Sequence, residues 1–271
     1  MDARLQRRVQ RYGWDNAAPS YERAWQAQLE PAQTAMLEMT PPATGTRVLD
    51  VACGTGLVTL RAAALAGPEG SVEGTDISEQ MVVAARARAM ARGIEHVRFE
   101  RMDAEELRFS DNSVDTVLCG LGLMYVPDPQ KAIREFHRVL RPGGRAAAAV
   151  WGQRRNCGWA EIFPIVDARV QSEVCPMFFG LGTGQTLSRS FAAAGFRDVR
   201  EQRLDTRLQY ASADEACEAA FAGGPVALAY DRFSQATRDE ARKEYLASLE
   251  PYRHGERYSV PGEFVIVAGT K

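Results

Sequence analysis

Val48-Leu49-Asp50-Val51-Ala52-Cys53-Gly54-Thr55-Gly56 is the stretch that decides the fold. Apolar residues flank a single acid, as in a strand buried on both faces of a parallel sheet. Gly54 and Gly56 then allow a tight turn with no Cβ, leading into a helix over 57–66, so a ligand can lie against bare backbone N–H groups at the helix start. A carboxylate at the strand end repels an anionic ligand and welcomes a positive amino or sulfonium group. The dinucleotide fingerprint G-x-G-x-x-G is incomplete, because Thr59 stands where its third glycine would be.

Outward from this turn, the pattern alternates strand and helix. A strand over 71–75 ends at Asp76, the position from which an acid reaches a ribose diol. The competing role for Asp76, a helix cap, is weaker because Ser78 already serves as one. A helix over 78–92 stops at Gly93, and a strand over 96–102 leads to Asp103-Ala104. Asp103 sits where open α/β sheets bind ligands, although it also suits a cap for Glu105 and Glu106. A polar turn feeds a strand ending near Cys119, followed by the apolar loop Gly120-Leu121-Gly122-Leu123-Met124-Tyr125-Val126-Pro127. A helix over 129–140 breaks at Pro142-Gly143-Gly144 before a strand over 145–151. Further helices are expected at 159–171, 184–194, 213–221 and 237–249, with strands at 197–208 and 258–270. Ahead of the sheet, Leu5 and Val9 should face inward on an amphipathic helix. A second helical run with Trp25 and Leu29 follows Pro19, and a third covers 31–40.

The string from Leu49 to Gly56 resembles motif I of class I S-adenosylmethionine (SAM)-dependent methyltransferases. The likeness is greatest to the branch that includes ubiquinone/menaquinone-biosynthesis C-methyltransferases (methyltransferase type 11), whose pattern has glycine where Ala52 stands. Arg138-Val139-Leu140-Arg141-Pro142-Gly143-Gly144 and Ala194-Gly195-Phe196 resemble later family turns. The resemblance implies an α/β fold, a Rossmann-like doubly wound sheet of seven strands, with N-terminal helices and a helical insertion before the last strand. It divides the chain into an arm over the cofactor (1–44), a SAM-binding core (45–209 with 258–271) and an acceptor-side lid (210–257). Asp50 would lie near the methionine moiety, with Ala52, Gly54 and Gly56 along it. Asp76 would hold the ribose; Ile77, Met81, Met102, Asp103, Ala104 and Cys119 would surround the adenosine, and Tyr21 would cap it. Met124, Tyr125 and Trp151 would line the acceptor pocket. The activity implied is methyl transfer from SAM to a small, partly hydrophobic molecule. The alternatives are an NAD(P)-dependent oxidoreductase or a non-catalytic SAM-binding protein. No residue declares itself as a general base; Tyr21, Tyr125, His254 and Glu256 are the candidates.

Composition narrows the partners. The 271 residues carry a formal net charge of -2, which gives no footprint for nucleic acid. No apolar run approaches the roughly 18 residues of a membrane span. The arginines at the N-terminus lack the apolar segment of a secretory signal. Cys53, Cys119, Cys157, Cys175 and Cys217 are odd in number and scattered, which favours a reducing, cytoplasmic setting. His96, His137 and His254 show no metal-ligand spacing, so no metal is expected. His137 reads as a packing or surface residue.

Overall fold

The computed structural model describes residues 3–170 and 178–271. Its strands are β1 (Arg47–Val51), β2 (Ser71–Asp76), β3 (Val97–Arg101), β4 (Val114–Gly120), β5 (Leu140–Trp151), β6 (Arg197–Tyr210), β7 (Arg253–His254) and β8 (Arg257–Thr270). They form one sheet in the order β3-β2-β1-β4-β5-β8-β6, with the two-residue β7 paired to β8 outside that path. The seven expected strands are therefore present and β7 is a short addition. β1 to β5 are parallel, whereas β8 runs antiparallel to β5 and β6. Strand order reverses between β1 and β4, so the loops leaving their carboxyl ends diverge and open a crevice.

Burial explains why these segments form strands. Val48, Leu49, Val117, Leu118 and Ala146 to Val150 are almost wholly removed from solvent, as expected for strands covered on both faces. The run Ala146-Ala147-Ala148-Ala149 keeps the middle of the sheet thin, so helices can approach it closely. Helices α2 (Leu57–Ala66), α3 (Glu79–Ala91) and α4 (Pro129–Val139) supply that cover. On α4, Ala132, Ile133, Phe136 and Val139 are fully buried along one face. Asp128 caps it by accepting from the Lys131 N–H at 2.9 Å, with Pro129 at the first helical position. β5 begins at Leu140, and the break expected at Pro142-Gly143-Gly144 is a register shift: Val114 pairs with Leu140, but Thr116 pairs with Arg145.

The N-terminal segment differs from expectation. Residues Ala3–Met39 form one continuous helix, α1, with Pro19 and Pro31 inside it, roughly 55 Å long. Each internal proline removes a backbone bond, and contacts along the whole length offset that loss. Leu29, Ala32 and Met36 are buried against the sheet. Arg61 donates to Thr34, Arg88 pairs with Glu22, and Arg23 pairs with Glu218. At the N-terminal end Leu5 is 46 % exposed, and the inner face is instead Gln10, Gly13 and Ala17. Gln28 works as a substitute backbone: its Nε2 donates to the Gln209 carbonyl at 2.6 Å and its Oε1 accepts from the Gln209 N–H at 2.9 Å. Replacing Gln28 by alanine should destabilise the chain by about 1–3 kcal/mol in urea denaturation, because both Gln209 groups lose a buried partner.

Past β5 the remaining helices are α5 (Ile162–Asp167), α6 (Thr186–Ala193), α7 (Ala213–Cys217), α8 (Ala227–Asp231) and α9 (Gln235–Leu249). The helix expected over 159–171 is reduced to α5 with turns on either side, and residue 171 lies outside the described residues. Cys53, Cys119, Cys157 and Cys217 are buried free thiols; Cys175 lies outside the described residues. His137 packs edge-on against Phe196, ring centroids 5.1 Å apart.

Candidate active site

The crevice between β1 and β4 is a cleft with about 710 Å³ of space between its walls, part of it open to solvent. Asp76, the last residue of β2, organises its floor. One carboxylate oxygen accepts from the Gly54 N–H at 2.8 Å and the other from the Ser78 N–H at 2.9 Å. The acid thus ties the glycine turn after β1 to the start of α3, while Ser78 separately caps that helix through the Met81 N–H. Burial pushes the Asp76 carboxyl up to about 6, against the lowering effect of those amide bonds and with a further rise from the nearby Asp15.

Two non-glycine residues on the cleft wall adopt left-handed backbone: Ala52 with φ 56° after β1, and Leu121 with φ 65° after β4. Glycine would meet this conformation without a Cβ penalty. The strain at both positions is held by neighbouring bonds. The Cys53 N–H donates to Thr75 O, and the Leu121 N–H donates to Ala149 O.

Asp103 lies on the same wall. Its Oδ1 accepts from the Glu105 N–H at 2.9 Å, so the local-turn role open to it in the sequence is filled. Its Oδ2 lies 2.9 Å from Nε of Arg7, which reaches across from α1 and also pairs with the buried Glu105. The first turns of α1 are thereby fastened over the β3 end of the cleft.

Asp50 is placed differently. It is 1 % exposed and lies beneath the cleft rather than on its wall. Its Oδ2 accepts from the Thr59 hydroxyl at 2.6 Å, and its Oδ1 is buried with no hydrogen-bond partner among the described residues. Burial raises this carboxyl to about 7, opposed by the Thr59 bond and reinforced by the charge of Asp76. Thr59, the residue that spoils the dinucleotide fingerprint, is thus the partner of this acid.

Of the residues expected at the site, Tyr21, Ala52, Gly54, Asp76, Ile77, Met81, Met102, Asp103, Ala104 and Tyr125 line the cleft. Gly56 does not. Its φ of 83° starts α2, and a Cβ there would meet Phe99 and Ala85 on the far side of the turn. Cys119 is fully buried in β4, and burial pushes its thiol pKa well up. Met124 sits in the short helical turn Leu123–Tyr125, which sends Tyr125 to the cleft and Met124 into the core. His254 and Glu256 are exposed in the β7–β8 hairpin and do not line the cleft. The lining also includes Arg7, Gln10 and Trp14 of α1, which sequence reasoning did not assign, and Gly120 to Gly122 with Val126 and Pro127 of the apolar loop noted after β4. The arginine run and the aromatic density of the arm were the available signals.

A second cavity, with about 340 Å³ of space between its walls, part of it open to solvent, adjoins the first and shares Trp14, Tyr21, Leu121 and Tyr125 with it. The Trp14 ring stands edge-on to Tyr21 and Tyr125, at 5.8 and 4.9 Å between centroids. Trp25 and Leu29 of α1, Trp151 at the end of β5, and Trp159, Gly224 and Pro225 complete its wall. Trp151 therefore lines this chamber and not the cleft. No charged side chain lines it among the described residues.

Residues 48–144 match a family model described as a methyltransferase domain. These residues carry a methyltransferase domain. A demethylmenaquinone methyltransferase of Listeria welshimeri is 42% identical to it over 119 residues, which cover 44% of this chain and 50% of that protein. The chain thus spans about half the length of the curated relatives it matches. The same fold recurs in solved structures. A putative methyltransferase of Bacillus halodurans has TM-score 0.62 and 20% identity, covering 89% of this chain and 99% of that one. Phosphoethanolamine N-methyltransferase 2 of Haemonchus contortus, solved with phosphomonomethylethanolamine and S-adenosylhomocysteine, has TM-score 0.61 and 20% identity, covering 95% and 57%. The matched segment runs from β1 to the turn before the main part of β5, so it contains Asp50, Asp76 and Asp103 together.

Proposed function

We propose that the chain transfers a methyl group from SAM to a small, partly hydrophobic molecule held in the aromatic chamber. The observation that carries this reading is the adjacency of two spaces: an acid-bearing cleft and an uncharged chamber have Trp14, Tyr21, Leu121 and Tyr125 in common on their walls. SAM, when bound, supplies a methyl group already activated by its sulfonium.

The residues present fit that cofactor. Asp76, fixed by two backbone N–H groups, has lone pairs left to accept from ribose hydroxyls. Met102, Ile77 and Ala104 offer an apolar slot for adenine, with Asp103 beside it to accept from an amino group. The unpartnered Asp50 Oδ1 would take the ammonium of the amino-acid tail. Arg7, Trp14 and Tyr21 make α1 the arm that closes over the ligand, and residues 210–257 the acceptor-side lid, to which Gly224 and Pro225 belong.

The chain's own contribution is alignment and exclusion of water. Tyr21 is held protonated, since burial and the charges of Asp76 and Asp50 raise its pKa. It can donate a hydrogen bond but does not take a proton at neutral pH. The uncharged aromatic chamber beside the cleft favours an enzyme over a passive SAM-binding protein, and the Asp50–Thr59 pair under the glycine turn disfavours a dinucleotide pyrophosphate. Buried free thiols fit a reducing compartment such as the cytoplasm.

The test is transfer of label from methyl-labelled SAM across neutral phenols, enols, thiols and amines, with demethylmenaquinone included because the Listeria relative is named for it. Incorporation into a neutral acceptor is expected. Tight SAM binding with no transfer to any acceptor would favour the passive reading, and absence of SAM binding would overturn both.

A further inference from the structure

Two of the aromatic residues that line the chamber carry buried N–H groups with no acceptor among the described residues. Trp25 on α1 is 7% exposed and Trp159, in the turns before α5, is 3% exposed. The indole Nε1 of each is shielded from solvent and has no hydrogen-bond partner among the described residues. Both rings line the chamber, and they stand edge-on to each other at 6.1 Å between centroids. The Trp25 Nε1 lies beside the turn at Gly223: a Cβ added there would stand 3.3 Å from it, and the next two residues, Gly224 and Pro225, are wall residues. A buried N–H with no partner is costly and uncommon. A contact to a neighbouring ring face satisfies such a donor only weakly. Two orphaned donors on one cavity are therefore a feature that a ligand resolves.

The wall also limits the ligand's charge. It holds no acid and no base among the described residues. A carboxylate, phosphate or ammonium entering it would be stripped of water with no counter-charge, which is far more costly than burying a neutral polar group. We propose that Trp25 and Trp159 are specificity-determining residues of the acceptor chamber: their indole N–H groups donate to oxygen atoms of a neutral, ring-sized acceptor that stacks among the aromatic side chains. This rests on the methyl-transfer reading for calling the ligand an acceptor; the recognition chemistry stands on the chamber alone.

The experiment compares three probes of similar size by equilibrium dialysis: 1-tetralone, which carries one carbonyl oxygen; tetralin, which carries none; and 2-naphthoate, which is charged. Each is titrated with and without saturating S-adenosylhomocysteine, whose own affinity is measured separately by calorimetry. The wild-type chain should bind the ketone roughly tenfold or more tightly than the hydrocarbon, since a site with buried donors rejects a ligand that leaves them unpaired. The ketone should exceed the naphthoate by at least about the same factor. Trp159→Phe and Trp25→Phe keep an aromatic ring and remove one N–H each. The preference for ketone over hydrocarbon should shrink in each and fall to about twofold or less in the double variant, while S-adenosylhomocysteine affinity stays within about threefold, because neither indole lines the cleft. Equal wild-type affinity for ketone and hydrocarbon, binding of neither, or a preference that survives loss of both N–H groups would each overturn the proposal. Failure of S-adenosylhomocysteine to bind, with the ketone preference intact, would instead strike the cofactor reading.

Discussion

Replacing Asp76 by alanine is expected to weaken SAM binding by roughly 100-fold or more in calorimetry. Each ribose hydroxyl that donates to a carboxylate makes a charge-assisted bond of about 1.5–3 kcal/mol, and about 1.4 kcal/mol is tenfold in affinity. The variant also releases the Gly54 and Ser78 N–H groups, so the glycine turn loses its anchor to α3. Asp76→Asn separates the two effects. Its side-chain oxygen can still hold one of those amides, but the uncharged group is a poorer acceptor for the diol. An intermediate loss, on the order of tenfold, should result. Unchanged affinity in the alanine variant would remove Asp76 from the binding site.

Asp50→Asn should act in opposite directions on stability and on binding. Burial raises the folded-state carboxyl from 3.8 to about 7, so its protonated form is the one the fold favours. The stability it contributes is complete below the unfolded value and is lost as pH rises through about 7. Asparagine has nearly the same shape, can keep the Thr59 bond, and does not ionise. Compared with the wild type, the variant should therefore gain stability in urea denaturation as pH rises from about 4, with the full gain above about 7. SAM binding should move the other way, since the ammonium of the ligand needs the charged carboxylate. At about pH 8 the variant should bind roughly 10- to 100-fold more weakly, and the gap should narrow near pH 5.5, where the wild-type acid is largely neutral. A variant that binds SAM as tightly as the wild type at about pH 8 would detach Asp50 from the amino-acid tail.

Much of the site was legible because strand ends are local features. The apolar run before Asp50, the acid closing β2 and the acid after β3 are each read within a few residues, and the parallel sheet collects their loops at one rim. Side-chain direction at the same positions was less legible. Gly56 looks like Gly54 in the sequence, yet only the structure shows Gly54 facing Tyr21 and Gly56 facing Phe99. Met124 and Tyr125 are neighbours, and a single helical turn sends them to opposite sides. Asp50 was expected near the methionine moiety; it is buried, tied to Thr59, and absent from the cleft wall.

The arm was hardest to read. Pro19 and Pro31 are strong local stop signals, but packing along α1 overrides them and yields one helix that supplies Arg7, Trp14 and Tyr21 to the cleft and Trp25 and Leu29 to the chamber. His254 shows the converse. It belongs to the most polar cluster near the end of the sequence, and in the fold that cluster is a solvated hairpin. The chamber draws its wall from α1, the loop after β4, the end of β5, the turns before α5 and the turn before α8, so no window of sequence contains it.

The most direct measurement is a crystal structure of the chain soaked with S-adenosylhomocysteine. The ribose hydroxyls should lie on the Asp76 carboxylate, the adenine between Met102 and Ile77, the amino group toward Asp50, and the thioether sulfur toward the Tyr21–Tyr125 wall. Density for the ligand elsewhere on the molecule, or an adenosine turned away from Asp76 with the chamber remote from its sulfur, would contradict the account.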